Sequence, residues 1–403
     1  MTRRPPWKTI PLLLALSLPG AAPAGTIELV ESFPVETDMD NPDIPDAYDV
    51  WLEMIGTAAE SLAFAEFYAS NEEGSRLEDI VRAVEEAARR GVSVRFLGEK
   101  GFYETYPETL DRLAATEGIS VRIFDTGAVM GGVHHAKYFL VDGREAFLGS
   151  QNFDWRSLTH IQELGVRIRE PSLVDGLGRI FQMDWDAAGG APRAAGEPVP
   201  WEPSAPVVIA AGSDTTTVSL VASPEKWLPE EISWDLPRVV ELMDGAASTL
   251  RVQLLTYRAV GRDKTYFDAL ESALRRAAAR GVRVEMLLAD WSKRSGSIEG
   301  LQSLQAVPGI DVKLATVPEW SGGFIPFARV IHAKYLVVDG ARGWIGTSNW
   351  EQGYFFSGRN VGLVIEGALC ERLDRFFLEG WDGPYAVAVD PCGSYEPPNI
   401  SGE

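Results

Sequence analysis

Two matching strings constrain this chain more than anything else in it. The first is His135-Ala-Lys137-Tyr-Phe-Leu-Val-Asp142, followed after six residues by Gly149-Ser150-Gln-Asn152. The second is His332-Ala-Lys334-Tyr-Leu-Val-Val-Asp339, followed after six residues by Gly346-Thr347-Ser-Asn349. His332 follows His135 by 197 positions, and the same offset of 197 holds for Lys, Asp, Gly, the hydroxyl residue and Asn. A chain with two such copies in register folds as two equivalent halves. On a strand of period two, His and Lys of each copy point to one face, and the apolar residues after each Lys anchor that strand in a sheet.

The flanking sequence repeats as well. Glu85 to Glu99 is a charged, Ala-rich helical end, then Gly91, then an alternating strand; Leu274 to Asp290 repeats the order with Gly281 in place of Gly91. Gly directly after an Arg-rich helix suits a C-cap, and Val-x-Val alternation suits a buried strand. Leu62 to Tyr68 and Leu250 to Tyr257 are further strand candidates upstream, and Ile119 to Phe124 and Ile310 to Leu314 downstream. Strands alternating with helices predict α/β layers. The stretch Ala187 to Pro206, crowded with Ala, Gly and Pro, reads as a linker. The organisation expected is therefore a leader over 1–24, a first half over 25–186, a linker over 187–206, a second half over 207–386 and a tail over 387–403.

The pattern H-x-K-x4-D-x6-G-[ST]-x-N resembles the signature of the phospholipase D superfamily, and both copies here are complete. The stretches Asn152-Phe-Asp-Trp-Arg-Ser-Leu-Thr, Glu163-Leu-Gly-Val, Ala328-Arg-Val-Ile-His332, Gly346-Thr-Ser-Asn-Trp350 and Trp381-Asp-Gly-Pro-Tyr385 resemble the branch that holds phospholipase D family members 3 and 4 and poxvirus envelope lipases. The likeness runs over roughly residues 27–386. It implies a duplicated phospholipase D-like fold: two α/β/α sandwich halves, each with a mixed sheet, sharing one active site at their pseudo-twofold interface. The animal members are membrane-anchored and richer in cysteine, whereas this chain has two cysteines.

Phosphodiester cleavage needs a nucleophile, a proton for the leaving oxygen and positive charge around the other oxygens. Two imidazoles supply the first two, because one can be neutral while the other is protonated near working pH. A neutral His attacking phosphorus forms a phospho-histidine and splits one displacement into two. Lys137 and Lys334, with Asn152, Asn349, Ser150 and Thr347 as neutral donors, are expected to bind the phosphate. Asp142 and Asp339 are expected to fix loops. Eleven residues after Asn152 stands Glu163, whereas eleven after Asn349 stands Asn360. The resemblance implies that a glutamate there backs the nearby motif histidine, which makes His135 the expected nucleophile and His332 the general acid and base. His134 and His160 read as packing residues. With lysines and a protonated His supplying charge, neither a metal nor another cofactor is expected, and no Cys/His cluster has metal-ligand spacing.

The remaining sequence bears on substrate and location. The formal charge is −21, so any contact with a polyanion is confined to a locally positive cleft. Trp320, Phe324, Ile325 and Phe327 read as a loop packing its own aromatics or as a rim for bases or acyl chains. Trp291, Lys293 and Arg294 read as a solvated loop. Arg3, Arg4 and Lys8, the apolar run Ile10 to Leu18 and Ala22-Pro23-Ala24 have the order of an export signal, so a periplasmic or extracellular protein without a transmembrane segment is expected. Export permits a disulfide between Cys370 and Cys392; two free thiols are the alternative. The resemblance implies a 5′ exonuclease on single-stranded nucleic acid. The alternatives are a phospholipase D or transphosphatidylase acting on phospholipid head groups, and a non-catalytic protein that binds phosphate esters, against which the complete motifs speak.

Overall fold

The computed structural model describes residues 25–190, 205–211, 214–261 and 264–402. The leader, residues 1–24, and residues 191–204 of the expected linker lie outside the described residues. The first four residues assigned to that linker close a helix, Pro171–Ala188, and its Gly189-Gly190 end.

Each half is built on a mixed sheet, and the two sheets repeat one strand order. In the first, Ile27–Ser32, Ile161–Ile168, Glu145–Gly149, Tyr138–Val141, Ser61–Glu66, Ser93–Glu99 and Ile119–Phe124 lie side by side. In the second, Asp214–Ser223, Asn360–Gly367, Arg342–Gly346, Tyr335–Val338, Thr249–Leu254, Arg283–Ala289 and Ile310–Ala315 follow the same order. Val207–Ala211 and Ala386–Ala388 extend the second sheet at its edges, so the expected tail begins inside a strand. The strand candidates read from alternation all fall within a residue or two of observed strands, except that Leu62 to Tyr68 and Leu250 to Tyr257 leave the sheet two to three residues early.

Local chemistry explains the helices that flank the sheets. Arg76–Arg89 starts where Ser75 Oγ accepts from the Glu78 amide, and the chain turns out of it at Gly91, whose φ of 95° is open to glycine and strained for other residues. Gly281 does the same at φ 88° after Ala269–Ala279. Helices Ala47–Gly56 and Arg76–Arg89 cover the outer face of the first sheet, while Asp235–Asp244 and Ala269–Ala279 cover that of the second. The inner faces take Pro171–Ala188 and Ala368–Asp382. One hydrophobic cluster, with Leu164, Val166 and Leu177 from the first half and Leu363, Ile365 and Phe376 from the second, runs through both, so burial of a common core joins the halves.

Candidate active site

The two motifs meet where strands from the opposite halves touch. Val330–Ile331 pairs in parallel with Ile161-Gln162, and the His332 amide donates to Gln162 O at 2.7 Å. The mirror contact joins His134 to Arg359, with the His135 amide donating to Arg359 O at 2.9 Å. Each motif histidine is thus set by backbone pairing onto the other half. That pairing pulls His135-Ala-Lys137 and His332-Ala-Lys334 out of the strands in which the alternation places them, and the sheet strands begin only at Tyr138 and Tyr335. Both histidines and both lysines are buried, at 5% and 8% exposure for the imidazoles.

The same crossing decides what stands behind each imidazole. His332 Nδ1 is 2.7 Å from Glu163 Oε2, and His135 Nδ1 is 3.1 Å from Asn360 Oδ1. Glu163 therefore backs the histidine of the other half, which corrects the expected pairing with His135. The physical reason is the strand register: Glu163 directly follows the residues that pair with Val330–Ile331. Asn360, which the sequence shows only as the counterpart of Glu163, takes the equivalent place behind His135. Its amide nitrogen donates to Tyr354 O at 2.8 Å, which leaves Oδ1 facing the ring. Facing acceptors at Nδ1 make both rings Nδ1–H tautomers and turn Nε2 toward the centre of the site.

Ser150 and Thr347 are a second correction. Thr347 Oγ1 donates to Asn360 Oδ1 at 2.9 Å, and both hydroxyls accept the backbone amide of the residue after the backing side chain, Leu164 and Val361. Both side chains are fully buried and hold Glu163 and Asn360 instead of facing a phosphate. Ser157 Oγ also donates to Glu163, at 2.9 Å. Of the motif asparagines, Asn349 Nδ2 lies 3.2 Å from the Tyr354 hydroxyl, while Asn152 Oδ1 is buried without a hydrogen-bond partner among the described residues. Lys137 and Lys334 each donate to the carbonyl of the histidine two residues before.

Asp142 and Asp339 turn away from the site. Asp142 accepts the amides of Ala59, Glu60 and Ser61, and Asp339 those of Ala247, Ser248 and Thr249. Their φ values of 53° and 54° are left-handed, a conformation Asp tolerates better than most side chains.

Electrostatics in this cluster are governed by burial. Desolvation, then Lys137, Lys334 and His332, hold the His135 pKa well below 6.5, and desolvation with the two lysines does the same to His332. Burial brings Lys137 down to about 7, against the carboxylates of Glu66 and Glu163. Burial raises Glu163 to about 7, opposed chiefly by Lys334. That each histidine feels both lysines places the four groups in one site, as the duplication demands.

Two residues that sequence reasoning missed enclose His135. Phe67 and Tyr354 meet its ring edge-on, at 4.7 and 4.8 Å between centroids, and Lys137 Nζ lies 4.8 Å from the Phe67 ring. Phe67 follows the strand Ser61–Glu66, inside the stretch that reads as a strand, and Tyr354 lies in the short helix Gln352–Phe356; the sequence does not show that either reaches His135. The other histidines are packed: His134 Nε2 lies 3.7 Å from Asp184, and His160 stands between Trp155 and Trp320, its pKa brought down to about 4 mainly by burial. Ile325 is buried, while Phe324 and Phe327 face outward. Asp290–Lys293 forms a short 3-10 helix instead of the expected solvated loop, with Lys293 Nζ 3.9 Å from the buried Asp290. Cys370 is buried and Cys392 exposed, and both are free thiols. Among the described residues, no group of three or more His, Cys, Asp or Glu is placed to hold a metal ion, and no helix is long and apolar enough to cross a membrane.

Comparison with known proteins agrees with this geometry. Residues 51–185 and 239–381 match the family model described as "Cardiolipin synthase, PLD-like domain". Phospholipase D Z of Dictyostelium discoideum is 30% identical over 392 residues, covering 91% of each chain. The 5′-3′ exonuclease PLD3 of Bos taurus is 32% identical, covering 90% of this chain and 80% of that one. Among solved structures, phosphatidylserine synthase of Haemophilus influenzae has a TM-score of 0.60 at 12% identity, covering 85% of this chain and 84% of that one, a likeness of fold. With two motif copies joined across one interface and full-length relatives of the same kind, the chain belongs to the phospholipase D-like family, whose members generally act on phosphodiesters.

Proposed function

We propose that this chain is an exported phosphodiesterase that removes nucleotides from the 5′ end of single-stranded nucleic acid through a phospho-histidine on His332. The observation that carries the mechanism is the unequal backing of the imidazoles. A carboxylate accepting Nδ1–H makes Nε2 more nucleophilic and stabilises the cation left when that nitrogen bonds to phosphorus. A neutral amide orients His135 and favours its charged form less than a full carboxylate charge does, so its Nε2 proton is more readily given up. This reverses the roles expected from a Glu163–His135 pair.

In the first step the bond from His332 Nε2 to phosphorus forms, the bond from phosphorus to the 5′ oxygen of the next nucleoside breaks, and the His135 Nε2 proton goes to that oxygen. In the second, His135 takes a proton from water, whose oxygen displaces His332 and leaves a nucleoside 3′-phosphate. Lys137 and Lys334 offset the charge on the non-bridging oxygens in both steps. The exonuclease relatives support the substrate, and the export-like leader supports a location outside the cytoplasm.

The phospholipase D names of other relatives favour a second reading, in which the retained group is a phosphatidyl group and water or an alcohol takes it. Product analysis on a 5′-hydroxyl oligonucleotide and on phosphatidylglycerol vesicles, beside His332→Ala, decides between them. Stepwise release of nucleoside 3′-phosphates, absent from the variant, is expected. Phosphatidic acid with no nucleotide product overturns the nucleic-acid assignment.

A further inference from the structure

Beside His135, on the side covered by Tyr354, lies an open pocket of about 480 Å³. Its walls include Val133, Gly353, Gly358 and Tyr354, and its charged groups among the described residues are Arg258 and Glu351. These last two stand side by side, because Tyr257 and Trp350 form a parallel bridge and the Arg258 amide donates to Trp350 O at 3.0 Å. Yet they form no ion pair with each other within 4.0 Å. Arg258 Nε is buried with no hydrogen-bond partner among the described residues, although its charge is felt by the Glu299 carboxylate. One oxygen of Glu351 accepts from Thr256 Oγ1 at 2.9 Å, and no partner is recorded for the other among the described residues.

The described charged groups of the pocket, one cation and one anion held apart, match a ligand edge that both donates and accepts better than a second phosphate. An acyl chain would leave both polar groups unpaired, at a cost. A flat neutral group that carries acceptor and donors along one edge satisfies both. Guanine has that edge: O6 accepts from a guanidinium, while N1–H and the 2-amino group donate to a carboxylate. The volume lies within the range that ordinarily holds small ligands, and Tyr354 offers an aromatic wall.

We infer that this pocket is a nucleoside subsite selective for guanine, and that it receives the nucleoside departing from the scissile phosphate. The inference rests on the nucleic-acid reading above and deepens it. With His332 attacking and His135 protonating the leaving oxygen, the departing nucleoside lies on the His135 side, and Tyr354, which meets the His135 ring, also lines this pocket. Arg258 donates to guanine O6 and Glu351 accepts from its N1–H and 2-amino group.

The test uses the dinucleoside monophosphates TpG, TpA, TpC, TpT and GpT with the whole chain, wild type and with Arg258→Gln or Glu351→Gln. Wild type is expected to show about tenfold higher kcat/KM for TpG than for TpT, and either substitution to bring that ratio to within about twofold of unity. Equal rates on all four TpN substrates in wild type, a comparison that needs no variant, overturn the subsite. A preference for TpG that survives both substitutions also overturns it, and a preference for GpT over TpG overturns its placement on the departing side. Cleavage of phosphatidylglycerol with no dinucleotide cut overturns the substrate reading and this inference together, whereas base-indifferent cleavage of dinucleotides overturns this inference alone.

Discussion

Glu163 of the first half holds His332 of the second by a 2.7 Å contact at Nδ1, while His135 is held from the second half by Asn360 at 3.1 Å. The duplicated fold places the two backing side chains 197 positions apart, the same offset as the histidines, so the geometry is symmetric and only the charge differs. One site thereby contains two imidazoles with unequal stabilisation of their cationic forms. The carboxylate stands behind the histidine that becomes cationic on bonding to phosphorus in the mechanism proposed above, so its charge acts on the covalent intermediate.

The first prediction concerns pH. Desolvation and the two lysines hold both imidazoles below 6.5, so the protonated His135 needed as acid is populated only at lower pH. As pH rises through that depressed pKa the acid loses its proton, and through about 7 Lys137 loses its charge as well. The profile of kcat/KM on oligonucleotides is expected to be a narrow bell: its acid limb is set by protonation of Glu163, which burial raises to about 7, and its alkaline limb by His135 and Lys137, with a fall of tenfold or more by pH 8. A flat profile between pH 6 and 8 would contradict the assignment.

Asn360→Asp tests the asymmetry directly. A carboxylate behind His135 stabilises its imidazolium, so the acid holds its proton to higher pH and becomes a weaker acid. The alkaline limb of kcat/KM is expected to move up by about one pH unit while the maximal rate drops. Glu163→Gln is expected to lower the rate of phospho-enzyme formation by about 10²-fold, because His332 loses the charge that stabilises its cation. Stopped-flow release of nitrophenolate measures that step. An unshifted limb in the first variant and an unchanged burst in the second would show that the backing groups are only structural.

Much of this arrangement was legible in the sequence because it is written in local terms. The two α/β halves and the glycines ending Arg76–Arg89 and Ala269–Ala279 follow from spacing and residue type, and the loop-fixing Asp142 and Asp339 from the family resemblance. The partners of the two histidines were not legible, since they depend on the register between Val330–Ile331 and Ile161-Gln162, which is set by the docking of the halves. Ser150 and Thr347 were misjudged for the same reason: their hydroxyls serve Glu163 and Asn360, residues that reach the site only when the adjacent strands align. Phe67 and Tyr354 could not be singled out because only the tertiary fold brings the end of the strand Ser61–Glu66 and the short helix Gln352–Phe356 to His135.

A buried ion pair supports the Asn360 side. Arg359 is fully buried and makes two contacts with Asp184, at 2.7 and 2.9 Å, while donating also to Ser223 O and Trp227 O. Removing only the carboxylate leaves a buried guanidinium uncompensated, so Asp184→Ala is expected to cost about 3–5 kcal/mol of stability. Since Arg359 is next to Asn360 and pairs with His134, activity should fall further than the loss of folded protein accounts for. Urea unfolding alongside rates normalised to folded enzyme checks both; a loss under 1 kcal/mol would show that Arg359 finds other partners.

The final prediction separates the histidines by chemistry. A thymidine 3′-nitrophenyl phosphodiester labelled at phosphorus releases a stable anion, so its departure needs little help from an acid whose ordinary contribution is about 10²–10⁴. In His135→Ala the first step is therefore largely retained, the label passes to His332, and the phospho-enzyme accumulates because His135 is no longer present to take the proton from water. In His332→Ala no nitrogen is available to attack, and neither nitrophenolate nor labelled protein is expected. Wild type should show a trace of base-stable, acid-labile label after rapid quenching, as a phospho-histidine would. If the label is instead found on the His332→Ala protein and is absent from His135→Ala, then His135 is the nucleophile, and the Glu163 carboxylate serves to hold a proton on the acid.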